Sequence, residues 1–228
     1  FSSRGTFGTS QSLEFSSVSN LVVFNGALLF SGQANGGSAG IELYRSNGTP
    51  AGTSMVREIV PGAGGISSNA GFAESGDGSR VYFAHQNQFW RTDGSFEGTL
   101  QLGTFGAGNI GSLHPVDARS TFVSGPNIEP HFSAGGSNDI LRLAEVQPDV
   151  GLSAARVAGH VDGRLIFSAR VDGNNAIATF AADADDLGNR IKLADSNPNL
   201  IRGRSLGNAL LLRSSGSGSF VTDGQMPL

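Results

Sequence analysis

A strand–turn–strand segment recurs along this chain, and no other feature restricts its fold so tightly. Ile41 to Gly62 reads IELYRSNGTPAGTSMVREIVPG, and a second copy runs from Gln88 as QFWRTDGSFEGTLQLGTF. A weaker copy, DILRLAEVQPDVGLSAARV, begins at Asp139, and another, AIATFAADADDLGNRIKLAD, at Ala176. Partial copies stand near the two ends: FSSRGTFGTSQSLEF from Phe1 and SFVTDG from Ser219. Ahead of the copies lie five apolar strands, ALLFSG, RVYFA, STFVSG, RLIFSA and ALLLRS, anchored at Phe30, Phe83, Phe122, Phe167 and Leu212. The anchors are 53, 39, 45 and 45 residues apart, so 228 residues hold five units and little else. Self-similarity at such a period marks an architecture in which each unit buries its apolar face only against its neighbours.

Each unit resolves into four short strands. In the first, LVVF and ALLF flank Asn25-Gly26, a strong hairpin signal because a type I′ turn needs positive φ at both central residues. Asp162-Gly163 repeats it, and Asp77-Gly78 and Gly207-Asn208 hold the equivalent turns. The third strand is ELYRS or FWRT and the fourth SMVREI or LQLGTF, joined by NGTPAGT or DGSFEGT. LVVF and ALLF are almost wholly apolar, which predicts burial on both faces. Four antiparallel strands per unit, repeated five times, predict an all-β fold: a single domain over 1–228 forming a five-bladed β-propeller. A sandwich of short strands is the alternative. SFVTDG is a third strand with no fourth after it, and Ser10 to Phe15 is a fourth strand with no hairpin before it. Strands from both termini would then close the ring and remove the exposed sheet edge. FSSRG reads as one third strand too many, either a spare connection or the sign of a longer array.

The two clearest copies, ELYRSNGTPAGTSMVREIVPG and QFWRTDGSFEGT, closely resemble a bacterial repeat written ELWxTDGTxxGTxLVxDIxPG. That repeat occurs in tandem in many secreted and surface-associated bacterial proteins. The other three units are degenerate: one keeps Gly151 without the Asp-Gly turn, and one keeps Asp183 and Gly188. The resemblance implies a propeller-forming repeat and export, and it implies no particular chemistry.

Composition narrows the function further. Charged residues make up 15% against about 25% in an average soluble domain, and the net charge is −4, so no nucleic-acid partner is expected. No apolar run approaches the ~20 residues of a membrane-spanning helix. The chain has no cysteine, which excludes disulfides, thiolate metal sites and thiol nucleophiles. His85, His114, His131 and His160 lack the spacing of a zinc motif, so neither metal nor cofactor is expected. Asp183, Asp185 and Asp186 could form a calcium loop, but the repeat alignment makes Asp183 an ordinary turn residue like Asn47 and Asp93. A glycosidase would need paired carboxylates near the ring axis, where only Glu74 and Asp117 are candidates. Tyr44, Phe89, Trp90 and Phe180 recur within third strands, which favours packing between units over sugar stacking.

Two sets of connections lie on opposite faces of such a ring. Strands one to two and three to four are joined by short repetitive turns. Strands two to three, and strand four to the next strand one, are joined by variable loops, the usual seat of binding. The longest is Gly125 to Asp139, GPNIEPHFSAGGSND, with Glu129, His131 and Phe132 as the candidate ligand-binding residues. The expected function is a non-enzymatic binding or scaffolding module outside a bacterial cell or on its surface, with the periplasm as alternative. The expected partner is another protein in a surface assembly. A glycan-binding lectin with sites between blades is the second reading, and a glycoside-acting hydrolase the third.

Overall fold

In a computed structural model the described residues are 14–66, 71–105, 110, 112–115, 121–125, 128–133, 140–142, 152–161, 163–171, 177–183, 186–194, 203–206, 209–214 and 218–223. Among them there is no helix, and hence none long and apolar enough to cross a membrane. The strands form five antiparallel sheets, each made of strands consecutive in sequence. The first holds β1 (Phe15–Phe24), β2 (Ala27–Ala34), β3 (Glu42–Ser46) and β4 (Thr53–Arg57). The second holds β5 (Phe72–Glu74), β6 (Val81–His85), β7 (Gln88–Thr92) and β8 (Leu100–Thr104). The third holds β9 (Ser112–Pro115), β10 (Thr121–Gly125), β11 (Ile128–Ser133) and β12 (Ile140–Arg142). The fourth holds β13 (Leu152–Val161), β14 (Arg164–Val171), β15 (Ile177–Asp183) and β16 (Asp186–Ala194). The fifth holds β17 (Gly203–Leu206), β18 (Ala209–Ser214) and β19 (Gly218–Thr222).

The repeat survives in the register of every sheet. Each anchor on a second strand lies opposite an aromatic residue of the third: Phe30 opposite Tyr44, Phe83 opposite Trp90, Phe122 opposite Phe132, Phe167 opposite Phe180, and Leu212 opposite Phe220. Where the rings are described they stack, with centroids 5.7 Å apart for Phe30–Tyr44, 6.1 Å for Phe83–Trp90 and 5.6 Å for Phe167–Phe180. The first strands of successive sheets touch in order: β1 against β5, β5 against β9, β9 against β13 and β13 against β17. That places the first strands innermost in a propeller-like arrangement.

The core lies between the sheets. Leu43, Ile59 and Ile66 of the first repeat are buried against Phe83 and Trp90 of the second sheet, and Leu29 is buried against Val81. Tyr82, Phe89, Leu102 and Phe105 are buried with Ile110 and Leu113 at the entry to the third sheet. Interdigitated aromatic and aliphatic side chains of this kind tolerate truncation badly.

Four expectations need correction or completion. LVVF is not buried on both faces: Leu21 is 59% exposed and Val23 71%, while Phe24 is buried. An all-apolar run reports the balance of the whole strand and not which face a neighbour covers. The third strand of the third unit is β11, so ILR after Asp139 is a fourth strand, and LSAARV opens β13 instead of closing the third sheet. Phe15 belongs to β1, opposite Ala34, and does not end a fourth strand of the last sheet. Residues Ser10 to Leu13 of the expected closing strand, and Phe1 to Thr9 before them, lie outside the described residues, as do Asp117, Asp185, Gly151 and the Gly207-Asn208 turn.

Candidate functional site

The turns between third and fourth strands account for the polar letters of the repeat. Asn47 Oδ1 accepts hydrogen bonds from the Thr49 amide at 3.0 Å and the Thr49 hydroxyl at 2.8 Å, and Thr49 Oγ1 accepts from the Gly52 amide at 3.0 Å. In the next copy Asp93 Oδ1 accepts from the Ser95 amide at 2.9 Å and its hydroxyl at 2.7 Å, and Ser95 Oγ accepts from Gly98 N at 2.9 Å. Hydroxyl pairs lock both bases: Ser46 with Thr53 at 2.6 Å and Thr92 with Thr99 at 2.7 Å. A Cβ on Gly52 would overlap the Asn47 side chain, and one on Gly98 would overlap Asp93, which is why glycine closes the motif. The hydroxyl and amide of Ser95, together with the Arg91 charge, hold the Asp93 carboxyl below its ordinary range against the effect of partial burial. These asparagine and aspartate residues are therefore turn builders, and their carboxylate and amide oxygens already have donors.

The opposite connections are fastened to one another by backbone bonds. Gly40 N donates to Gly62 O at 3.0 Å and Ile66 N to Ile41 O at 2.6 Å, joining the β2–β3 connection to the segment that leads into the second sheet. One sheet further, Ile110 N donates to Gln86 O at 2.9 Å and Phe105 N to Asn87 O at 2.8 Å. The Asn87 side-chain amide also donates to Phe105 O at 2.7 Å. Each of these connections is thus tied to the segment that leaves its sheet, and residues 35–38 and 61–64 are exposed. The letters of a GxSxG nucleophile motif occur here, from Gly36 to Gly40. They sit between two strands and not on the strand-to-helix turn that activates such a serine.

The candidate residues of the third unit stand elsewhere than expected. Glu129, His131 and Phe132 lie in β11, with Phe132 opposite Phe122 and His131 opposite Val123 and Arg142. They are strand residues and not loop residues. Proline disguised the strand, since it removes a ladder donor. Here β12 pairs only with His131, Phe132 and Ser133, so Pro130 stands beyond that ladder. The His131 ring lies edge-on to Phe105, with centroids 4.5 Å apart, and so packs the third sheet on the second.

Two further features escaped sequence reasoning. Along β1 the exposed side chains include Val18, Leu21 and Val23, and beside them an apolar cleft of about 350 Å³ opens between Phe15, Val18, Leu28, Phe30 and Pro50. The repeat pattern cannot show it, because the pattern gives the order of apolar residues along a strand and not which of them a neighbour covers. On the inner strands, burial lowers the affinity of His114 and His160 for protons, and the His160 charge adds to the effect at His114, whose pKa falls to about 4. Both imidazoles are neutral at pH 7. Glu74 ends β5 and is exposed, while Glu42, buried at the start of β3, accepts hydrogen bonds from the Ile59 and Val60 amides through Oε2. Among the described residues no group of three or more His, Asp or Glu side chains is placed to hold a metal ion.

No protein-family profile matches the chain, and no curated protein is similar to it in sequence. Solved structures are similar in fold. An oligogalacturonate lyase in complex with manganese superposes with a TM-score of 0.56 at 11% identity, over 89% of this chain and 60% of that one. The extracellular domain of a hybrid two-component system of B. thetaiotaomicron gives 0.50 at 9% identity, over 97% of this chain and 29% of that one. A computationally designed protein, Ika8, gives 0.50 at 12% identity, over 90% and 57%. The chain thus spans less than two thirds of the length of each. At these identities the likeness is one of architecture, and the chain has an all-β, propeller-like fold of antiparallel sheets.

Proposed function

We propose that the protein is a five-bladed β-propeller, closed by strands from both ends of the sequence, that serves as a non-enzymatic binding and scaffolding module. Its working surface is the face built from the β2–β3 and sheet-to-sheet connections, and its partner is another protein in an assembly outside a bacterial cell or on its surface. One observation carries this reading. Each second-to-third-strand connection is hydrogen-bonded to the segment that leaves its sheet, Gly40 to Gly62 and Gln86 to Ile110, so the loops of this face are held in place on the stack of sheets. A surface held in one shape in advance avoids the ordering that association otherwise requires. The opposite face holds the repeated turns, whose polar atoms are already bonded to each other. The resemblance of Ile41 to Gly62 to repeats of surface-associated bacterial proteins supports the location.

The test uses a photoreactive amino acid placed at Ser38 on the connection face or at Thr49 on the turn face. After irradiation in the native source, mass spectrometry identifies the adducts. One protein captured from Ser38 and absent from Thr49 is the expected result. Capture from Thr49 alone, or turnover of a glycan substrate by the purified chain, would overturn the proposal.

A further inference from the structure

The chain contains three Asn-Gly pairs, Asn25-Gly26, Asn35-Gly36 and Asn47-Gly48, and all six residues are exposed. Asparagine followed by glycine is prone to rearrange, because the glycine nitrogen turns back on the preceding carboxamide with no side chain in the way. Neither the letters nor the available room separates the three pairs. A Cβ added to Gly26, Gly36 or Gly48 would meet no atom within 4 Å, and the three glycines have φ of 70°, 77° and 90°. What separates them is the hydrogen bonding of the two reacting groups, the asparagine carboxamide and the glycine amide.

At Asn47 both groups are engaged. The Gly48 amide donates to Ser46 Oγ at 3.1 Å, and Asn47 Oδ1 accepts from the Thr49 amide at 3.0 Å and the Thr49 hydroxyl at 2.8 Å. The Asn47 backbone amide donates to Gly52 O at 3.2 Å, and the side chain packs on Gly52 so closely that no Cβ fits there. Turning the carboxamide onto the Gly48 nitrogen breaks this set of bonds. At Asn35 the hold is partial. Its Nδ2 donates to Glu14 Oε2 at 3.4 Å and its backbone amide to Glu14 O at 2.8 Å, while the Gly36 amide has no acceptor among the described residues. At Asn25 neither group is held: among the described residues nothing accepts from the Gly26 amide and nothing bonds the Asn25 side chain. Asn25 itself sits at φ 48°, a left-handed conformation that costs energy in a residue with a Cβ.

We infer that Asn25 is a modification site, converted without an enzyme to aspartate and isoaspartate, and that Asn47 is protected by its own turn, with Asn35 between the two. The Gly26 nitrogen gives its proton to water and attacks Asn25 Cγ. As that bond forms, the Cγ–Nδ2 bond breaks and the side-chain nitrogen leaves as ammonia, so a cyclic succinimide remains. Water then opens the ring. Cleavage of the new bond at Cγ gives aspartate, and cleavage at the Asn25 main-chain carbonyl gives isoaspartate, with one more methylene in the backbone. No oxidant or reductant enters. Both products place a carboxylate beside exposed Val23. Isoaspartate also lengthens the two-residue turn between the register partners Phe24 and Ala27, which sets the pairing of β1 with β2.

The test holds the purified full chain at neutral pH and body temperature and maps its peptides over time by mass spectrometry, with aspartate and isoaspartate products separated. Conversion at Asn25 several-fold faster than at Asn47, with Asn35 between them, is the expected result. In denaturant, where the turns are lost, the three rates should draw together. A ranking that persists there belongs to the neighbouring letters and would overturn the inference. Folded-state conversion that is absent from Asn25, led by Asn35 or Asn47, or equal at all three would overturn it too. Ser46→Ala frees the Gly48 amide and is expected to raise conversion at Asn47 several-fold while leaving Asn25 unchanged; no rise at Asn47 would overturn the protection assigned to its turn.

Discussion

Glu42 is fully buried, and its two carboxylate oxygens differ: Oε2 accepts from two backbone amides while Oε1 has no hydrogen-bond partner. Burial raises its pKa, and the Glu58 charge adds to the rise, against the lowering effect of the two amides. The folded state therefore binds a proton that the unfolded chain releases above about pH 4.5, so this residue lowers stability as pH rises through that window. Glu42→Gln removes the titration. Its stability relative to the parent is expected to improve as pH rises above about 4.5, read as the difference in denaturation midpoints. His114 works in the opposite sense. Its pKa falls from the usual 6.5 to about 4, so the unfolded chain binds more protons between those values and stability is lost as pH falls. His114→Leu should remove about 3 kcal/mol of that acid-side loss, and an unchanged acid limb would contradict the burial of its ring. At Gly98 a methyl group meets the Asp93 side chain, so Gly98→Ala is expected to cost roughly 1–3 kcal/mol by the same measurement.

At the scale of elements, the junction between the first two sheets depends on Arg57. Arg57→Ala removes a charge-assisted bond to Thr99 O and the contact with the Phe96 ring, for an expected loss of about 1–2 kcal/mol. In a double-mutant cycle with Phe96→Ala, a coupling near zero would show that the ring contributes nothing to the grip. Most elements were legible in the sequence because their signals are local. Asn25-Gly26 takes positive φ at both residues, 48° and 70°, and the anchors of all five units found aromatic partners. β11 was not legible. Its six residues include Pro130 and are flanked by Gly125, Pro126 and Gly135, so composition reads as loop, and only pairing with β10 on one side and β12 on the other makes a strand of it. The placement of Glu129, His131 and Phe132 shares that cause, since their segment reads as loop by composition and is a strand by pairing. The exposure of Leu21 and Val23 was hidden for a related reason: which face a neighbouring sheet covers is a property of the array and not of the strand.

At the scale of the whole molecule, stability follows from contacts between sheets. The first strands touch in sequence from β1 to β17, and the segments leading from one sheet to the next are bonded to the connections at Gly40, Ile41 and Gln86. Loosening one boundary should therefore be felt at the connection face. Phe83→Ala, which empties a buried site between the first and second sheets, is expected to cost 3–5 kcal/mol. Hydrogen exchange should then rise at the Gly40 and Ile66 amides as well as in β6; a rise confined to β6 would mean that the connection face does not depend on the junction. The account turns on five sheets forming one closed ring, and small-angle X-ray scattering of the purified chain tests this most directly. A closed ring of 228 residues predicts a radius of gyration of roughly 17 Å with a single symmetric distance distribution. A radius several ångströms larger, with the long tail of an open arc, would contradict it.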